Sequence, residues 1–368
     1  MGTEKNFSHS LEALIKALTS FKLTLFVLAS LTLLTFFGTI YQAEHGLYMA
    51  QKVFFDSLIV KDGFLILPGV RLIMWLAFLN LSAFMIFKFK YSWKKFGLII
   101  SHLGLILLLI GGFYNLHYSK ESLMTLREGE QSSSSQDYYK WEIKVLGKDL
   151  VDAVPIDISS AKLKPESQEK LSKVIPELKI TQFMRNGRVF ETPFAGTIAK
   201  SLPLAKEYEQ NQVALVFENK SGENFYLDAF EHRYFNYSDS TEQNYKLILK
   251  RTSYEIPLII GLENVERKLH PNTQIAKSYA STVSVKTSPT DIARKAEISM
   301  NKPFRYKDYT FFQSGYGIDE DGQEFSSLAV VKNAGRLLPY IASLLTSLGL
   351  LLHSLIHLIE FIKRKSQA

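Results

Sequence analysis

Four apolar runs, at residues 23–40, 70–87, 96–114 and 337–362, constrain this 368-residue chain more than any other feature. About 20 consecutive apolar residues suffice to cross the hydrocarbon core of a bilayer as a helix, and in lipid a helix satisfies every backbone polar group internally. The chain therefore reads as a membrane protein with four transmembrane helices. A polar segment of some 220 residues, 115–336, lies between the third and fourth. The first run has no small-residue cleavage site behind it and reads as a permanent anchor rather than a removable signal peptide. Ahead of it, Leu11, Leu14, Ile15, Leu18 and Phe21 fall on one helical face opposite Glu12, Lys16 and Ser20, so residues 1–22 read as an amphipathic cytoplasmic segment lying on the membrane.

Charge sets the expected orientation. Lys plus Arg number 43 against 36 Asp plus Glu, and because the two nearly balance between residues 116 and 334, the basic excess belongs to the membrane flanks. Lys5, Lys16 and Lys22 precede the first run, Lys88, Lys90, Lys94 and Lys95 join the second to the third, and Lys363, Arg364 and Lys365 follow the fourth. By the positive-inside rule these clusters face the cytoplasm. Both termini, including the basic tail 363–368, are then cytoplasmic in a bacterial inner membrane, and the 115–336 domain is periplasmic. No basic stripe with interleaved aromatics marks a nucleic-acid surface. With no cysteine the chain forms no disulfide, runs no thiol relay and attaches no haem covalently to itself.

The 115–336 domain reads as β-rich. Segments at 141–145, 178–181, 213–217, 245–249 and 282–286 alternate apolar and polar residues, with turn-formers at Asn186-Gly187 and Ser221-Gly222. The expected fold class is α+β: four transmembrane helices with a large antiparallel, sandwich-like domain between the third and fourth. The serine run 132–135 reads as a loop.

No phosphate-binding glycine loop, His-Glu-x-x-His helix or nucleophile elbow is present, so no catalytic residue is assigned. What stands out is histidine inside apolar runs. An imidazole in hydrocarbon is costly without a partner for its ring nitrogens, which makes His102, in the third run, a candidate ligand of a metal or cofactor. A bond to a carbonyl or hydroxyl of a neighbouring helix would serve as well. Counting about 1.5 Å per helical residue, His102 lies about 9 Å from the cytoplasmic edge, and His353 and His357 of the fourth run about 13 and 8 Å from the same edge. Gly97, Ser101, Gly104 and Gly111 form a small-residue stripe that lets another helix approach, with His102 turned about 100° from it. Arg71, at the outer end of the second run, could meet a carboxylate, although such an arginine commonly snorkels to the interface.

Several motifs resemble ResB-type cytochrome c biogenesis proteins: Lys22-Leu-Thr-Leu25 with Gly38-Thr-Ile-Tyr-Gln42, Leu67-Pro-Gly69, Gly97-Leu-Ile-Ile-Ser-His-Leu-Gly104, the stretch from Asn301 to Tyr316, and Gly335-Arg-Leu-Leu-Pro-Tyr340. The order of three spans, a β-rich domain and one further span is similar too, while residues 150–290 offer no motif that matches. The resemblance implies a haem export and delivery subunit of a membrane cytochrome c synthetase. Such a subunit hands non-covalent haem b to Cys-x-x-Cys-His motifs of apocytochrome c, beside a CcsA- or ResC-type membrane partner. It implies that His102 is an axial ligand of the haem iron. His353 is a further candidate haem ligand, and Arg71 a candidate propionate contact. Gln313, Tyr309 and Tyr316 become candidate surface contacts for the partner or apocytochrome, although aromatic strand residues ordinarily face a core. Whether the chain is itself an enzyme stays open, since it fits a non-catalytic or co-catalytic subunit. Two other classes remain: a b-type electron-transfer subunit with His102 and His353 on one haem, and a membrane sensor whose β-rich domain reads a ligand.

Overall fold

A computed structural model describes residues 2–62, 65–148, 151–160, 162–193, 196–273, 276–319 and 321–366. The chain divides into two compact units, one formed by Met1–Ser119 with Asn333–Ala368 and the other by Lys120–Lys332. Six α-helices are present among the described residues: α1 (Gly2–Leu18), α2 (Phe21–Ala50), α3 (Val70–Ala83), α4 (Phe96–Tyr118), α5 (Pro165–Val174) and α6 (Leu338–Ser366). With their flanking turns, α2, α3, α4 and α6 form four helices long and apolar enough to cross a membrane, as their hydropathy predicts.

The first of these is longer than the apolar run suggests. From Ser20, whose hydroxyl accepts the Lys22 N–H at 3.3 Å as an N-cap, α2 runs to Ala50 and continues as a π-helical turn to Phe55. It bends at Gly46, whose φ of 82° and ψ of 165° are open only to glycine without strain. The connection between the first two apolar runs therefore holds the end of this helix and a hairpin of β1 (Ile59–Asp62) and β2 (Leu65–Pro68). Phe54, Val60 and Ile73 bury against Val27 and Leu34 of α2, so the connection packs on the helices through a shared apolar cluster.

The tightest helix pair is α4 with α6. Gly97, Ser101, Gly104 and Gly111 are the buried residues of α4; the first three meet Ala342, Thr346 and Gly349 of α6, and Gly111 meets Leu338. Ser101 Oγ donates to Thr346 O at 3.2 Å, and Thr346 Oγ1 turns back to Ala342 O at 2.9 Å. Without a hydrophobic drive between helices in lipid, such close approach and its hydrogen bonds hold a pair together. At the cytoplasm-expected end Lys94 bonds Glu360 at 2.7 Å.

The other unit is antiparallel throughout. Its strands are β3 (Lys120–Arg127), β4 (Gln131–Leu146), β5 (Val151–Asp157), β6 (Leu178–Met184), β7 (Gly187–Thr192), β8 (Gly196–Ser201), β9 (Ala214–Asn219), β10 (Asn224–Asp228) and β11 (Tyr234–Ser238). They continue as β12 (Asn244–Leu269), β13 (Ala276–Lys286), β14 (Arg294–Ser299), β15 (Phe304–Tyr306), β16 (Tyr309–Ile318) and β17 (Glu324–Lys332). The domain is dominated by one ten-stranded sheet in the order β14-β13-β12-β4-β3-β17-β16-β15, with β11 on β12 and β5 on β4, beside small sheets β10-β9-β6 and β7-β8. The long β12 makes this possible: its register on β4 shifts between Glu255 and Ile260, where Pro257 cannot donate to a ladder, and the strand bends there to pair along two stretches.

Three expectations are corrected here. The serine run is strand, not loop: residues 132–135 lie in β4, where Ser135 is buried and shares a 2.7 Å hydrogen bond with Ser122, so paired hydroxyls satisfy one another on an inward face. Tyr309 and Gln313 are not surface contacts. Tyr309 belongs to the main core with Phe311 and Leu328, and Gln313 is buried between Ser281 at 2.7 Å and Ser326 at 3.0 Å. Tyr316 is half-buried, its hydroxyl on Glu324 at 2.7 Å. Elsewhere in the unit burial, reinforced by the Asp137 carboxylate 2.7 Å away, pushes the Tyr254 phenol well above its ordinary range.

The seam between α4 and α6 yields a direct test. A Cβ on Gly104 would lie 2.4 Å from Thr346 Oγ1 and 2.8 Å from Ala342 O, whereas one on Gly112 meets nothing within 4 Å. Gly104→Val is expected to destabilise the helical unit by about 1–3 kcal/mol, and Gly112→Val to be far milder. Denaturant titration in detergent compares them, and equal losses would contradict the seam.

Candidate functional site

His102 lies on α4 next to Ser101 in sequence, but about a quarter-turn around the helix from the face that meets α6. Its Nδ1 approaches the Leu98 carbonyl one turn back at 2.7 Å. That bond makes Nδ1 the protonated nitrogen and leaves the lone pair on Nε2, which has no hydrogen-bond partner among the described residues. The ring lines a cavity of about 570 Å³, walled by Val27 and Leu31 of α2, Met74 and Phe84 at α3 and Leu105 of α4. This volume falls within the usual range of small-molecule sites, about 300–1,000 Å³.

Aromatic rings frame the histidine. Phe84 and Phe89 stand 6.3 and 6.0 Å from it, ring centre to ring centre. Phe84 begins a π-helical turn, Phe84–Lys88, that continues α3, and such single-turn widenings recur at functional sites. The other polar groups of the lining are already engaged. Thr24 Oγ1 donates to Asn80 Oδ1 at 2.7 Å, while Asn80 Nδ2 donates to Leu18 O at 2.6 Å and Ser20 O at 3.3 Å. Thr19 Oγ1 donates to Ile15 O at 2.7 Å. Asn80 thus ties the break between α1 and α2 to α3 and holds the rim of the cavity in shape. What the lining offers a ligand is apolar surface and one imidazole nitrogen, the donor set that suits a largely apolar macrocycle with a central metal ion.

The other candidate residues fall elsewhere. The backbone of His353 packs on Gly97 in the α4–α6 seam, and a Cβ on Gly97 would come within 2.3 Å of its N. The Nδ1 of His353 is buried without a hydrogen-bond partner, and its ring centre lies 4.4 Å from that of His357. Neither ring lines the His102 cavity, so the shared depth of the three histidines is not a shared site. Arg71 opens α3 and its Nη2 sits 3.4 Å from Nε2 of His117, the last histidine of α4. His117 escaped the sequence reading because it falls beyond the third apolar run, among the polar residues expected at an interface. The signal that could have found it is the one short connection that makes α3 and α4 antiparallel neighbours, which brings the start of one to the end of the other.

Asn80 provides the test of the cavity's frame. Asn80→Leu leaves the Leu18 carbonyl and the Thr24 hydroxyl without their partner, with an expected loss of about 1–3 kcal/mol in thermal unfolding, whereas Asn80→Asp keeps the Thr24 bond and is expected to lose less. A neutral Asn80→Leu would mean that the α1–α2 break is held by something else.

Comparisons with known proteins follow the same lines. A model of the ResB-like family matches residues 231–330, from just before β11 into β17, and so includes the Asn301–Tyr316 stretch. Protein NrfI of Wolinella succinogenes is 21% identical over 322 residues, covering 85% of this chain and 32% of NrfI. The chain thus spans about a third of the length of this curated relative. The family match within the β-rich unit and the extended similarity to NrfI agree with the motif order read along the chain, and together they support a ResB-type protein.

Proposed function

We propose that this ResB-type chain is a haem-handling subunit in cytochrome c biogenesis, with haem b as its cargo and His102 as one axial ligand of the iron. The observation that carries this reading is the imidazole of His102, its tautomer fixed by Leu98 O and its Nε2 unengaged, in the wall of an apolar cavity between α2, α3 and α4. Neutral imidazole ligates haem iron well, and an apolar wall of this size accepts a porphyrin face. The bond to the Leu98 carbonyl holds the ring plane and fixes its tautomer. This chain's own residues bind and orient the cargo; His102 transfers no proton and makes no covalent bond.

The rest of the reading follows from the lysine and arginine distribution and from what ResB-type proteins resemble in general. Haem enters from the cytoplasmic side and leaves toward the periplasm, where the β-rich unit helps to present it to the Cys-x-x-Cys-His segments of apocytochrome c. A CcsA- or ResC-type membrane partner supplies the opposite axial ligand. The chain has no cysteine and no catalytic constellation of its own, so thioether formation belongs to the assembled complex. The electron-transfer alternative asks His102 and His353 to face one haem, and it gains no support from two rings that line different places.

The test is spectroscopic. Co-purified with its partner, the wild-type chain is expected to show a b-type visible spectrum, and His102→Ala to lose it while keeping its abundance in the membrane. Undiminished haem in His102→Ala would contradict the assignment.

A further inference from the structure

The ten-stranded sheet ends on two edge strands, β14 and β15, that start from one turn. Ser299 and Lys302 close that turn with two backbone bonds, Ser299 N–H to Lys302 O at 3.1 Å and Lys302 N–H to Ser299 O at 3.0 Å. Beyond the turn the strands part, because β14 pairs with β13 and β15 with β16. Ser299 directs its backbone groups away from β13, and alternate residues of a regular strand share an edge, so Lys295 and Glu297 present theirs on that same side. They have no backbone partner there among the described residues. An open edge of this kind is a template for another strand, and proteins ordinarily cover or blunt it.

The gap beside this edge holds a cavity of about 1,120 Å³, above the range of about 300–1,000 Å³ usual for small-molecule sites. Its wall is the flank of the main core. Leu258 and Val285 are buried there, and Ala296, Phe304 and Tyr306 pack against that core while staying partly exposed. Ile292, in the loop from β13 to β14, stands 92% exposed at the same cavity. The charges of the lining are lopsided. Lys286, Arg294 and Arg305 have no acidic partner among the described residues, whereas Lys295 is paired with Glu263 at 2.7 Å. The carboxylate in the lining, Asp291, already accepts the Thr287 hydroxyl. Charged residues on an edge strand often do no more than prevent association. Here the cations share a cavity with partly exposed core residues and an unpaired strand edge. That is the combination used in strand addition, where backbone bonds give affinity and the side-chain surroundings select the segment.

We infer that the gap between β14 and β15 binds an extended, acidic segment of a partner protein, added as a strand on β14. Its backbone pairs with Lys295 and Glu297, its carboxylates meet Lys286, Arg294 and Arg305, and its apolar side chains cover Ala296, Phe304 and Tyr306. The same three cations repel a basic segment. This binding is independent of His102 and of haem, so its failure would leave the proposed function standing.

Fluorescence anisotropy tests this, with the full chain in nanodiscs of zwitterionic lipid and a labelled, strand-length peptide of alternating valine and glutamate. Saturable binding is expected, and a peptide with lysine in place of glutamate should bind about tenfold more weakly. N-methylation of the peptide backbone keeps its charges and should abolish binding. Arg294→Glu combined with Arg305→Glu should reverse the preference, weakening the glutamate peptide about tenfold and admitting the lysine peptide. A gain of lysine-peptide binding is a result that misfolding cannot produce. No saturable binding of the glutamate peptide, equal binding of the two peptides, undiminished binding after N-methylation, or charge reversal without effect each overturns the inference. Two other occupants remain to be separated. Because the chain has no cysteine, Ile292→Cys accepts a single environment-sensitive dye, whose emission should respond to the glutamate peptide. A response to anionic lipid in the nanodisc and none to the peptide puts this loop on a membrane surface and contradicts the inference. Dimers in size exclusion that the charge-reversed variant loses assign the gap to a second copy, which contradicts it too.

Discussion

The helical unit depends on the backbone-close contact between α4 and α6. Gly97 and Gly104 bring the two helices to distances that no larger residue permits, and Ser101 closes the contact with a hydrogen bond to Thr346 O. Once one face of α4 is committed to that seam, its remaining surface is free to meet α2 and α3. His102, a single residue on from Ser101, is thereby turned toward them. The costly imidazole and the small-residue stripe are thus two consequences of one helix serving two neighbours. A helix packed by large side chains on all sides would leave no cavity for the ring to line.

The cavity is dry in character but framed by polar groups. Asn80, Thr24 and Thr19 satisfy one another and the free carbonyls at the break between α1 and α2, so the polar groups at its edge are already engaged. An unsatisfied buried amide would cost the unit about 1–3 kcal/mol, so the closed network stabilises the helix break, while Nε2 of the imidazole stays unengaged. The π-helical turn after α3 adds the Phe84 ring at the cavity edge, where a straight α-helix would present a different side chain.

Much of this was legible in the sequence because bilayers impose length and apolarity directly. The four spans, the stripe on α4 and the position of His102 all follow from periods of 3.6 residues read against a slab of fixed thickness. The chain from 42 to 69 was not legible, since the continuation of α2 rests on a bend at Gly46 and the hairpin on pairing with Leu65–Pro68. Nor was the serine run, where Ser132 and Ser134 bond each other and the buried Ser135 hydroxyl meets Ser122 of β3. Alternation identified strands but not their order: β12 joins β4 and β13 through register shifts, and its pairing with β4 reaches far back along the chain. Tyr309 and Gln313 illustrate the same limit, because a polar or aromatic residue on a strand faces in or out according to a sheet whose layout local patterning does not reveal. His117 became visible only when the antiparallel pairing of α3 and α4 put Arg71 beside it.

The central claim is that His102 itself binds the iron. The chain has no cysteine, so a thiolate placed at this position has no internal competitor. His102→Cys, purified with its partner and examined by low-temperature electron paramagnetic resonance, should carry haem whose signals change from those of the wild type to those of a thiolate-ligated iron. Signals identical to the wild type, from a variant loaded to the same level, would show that position 102 does not reach the iron.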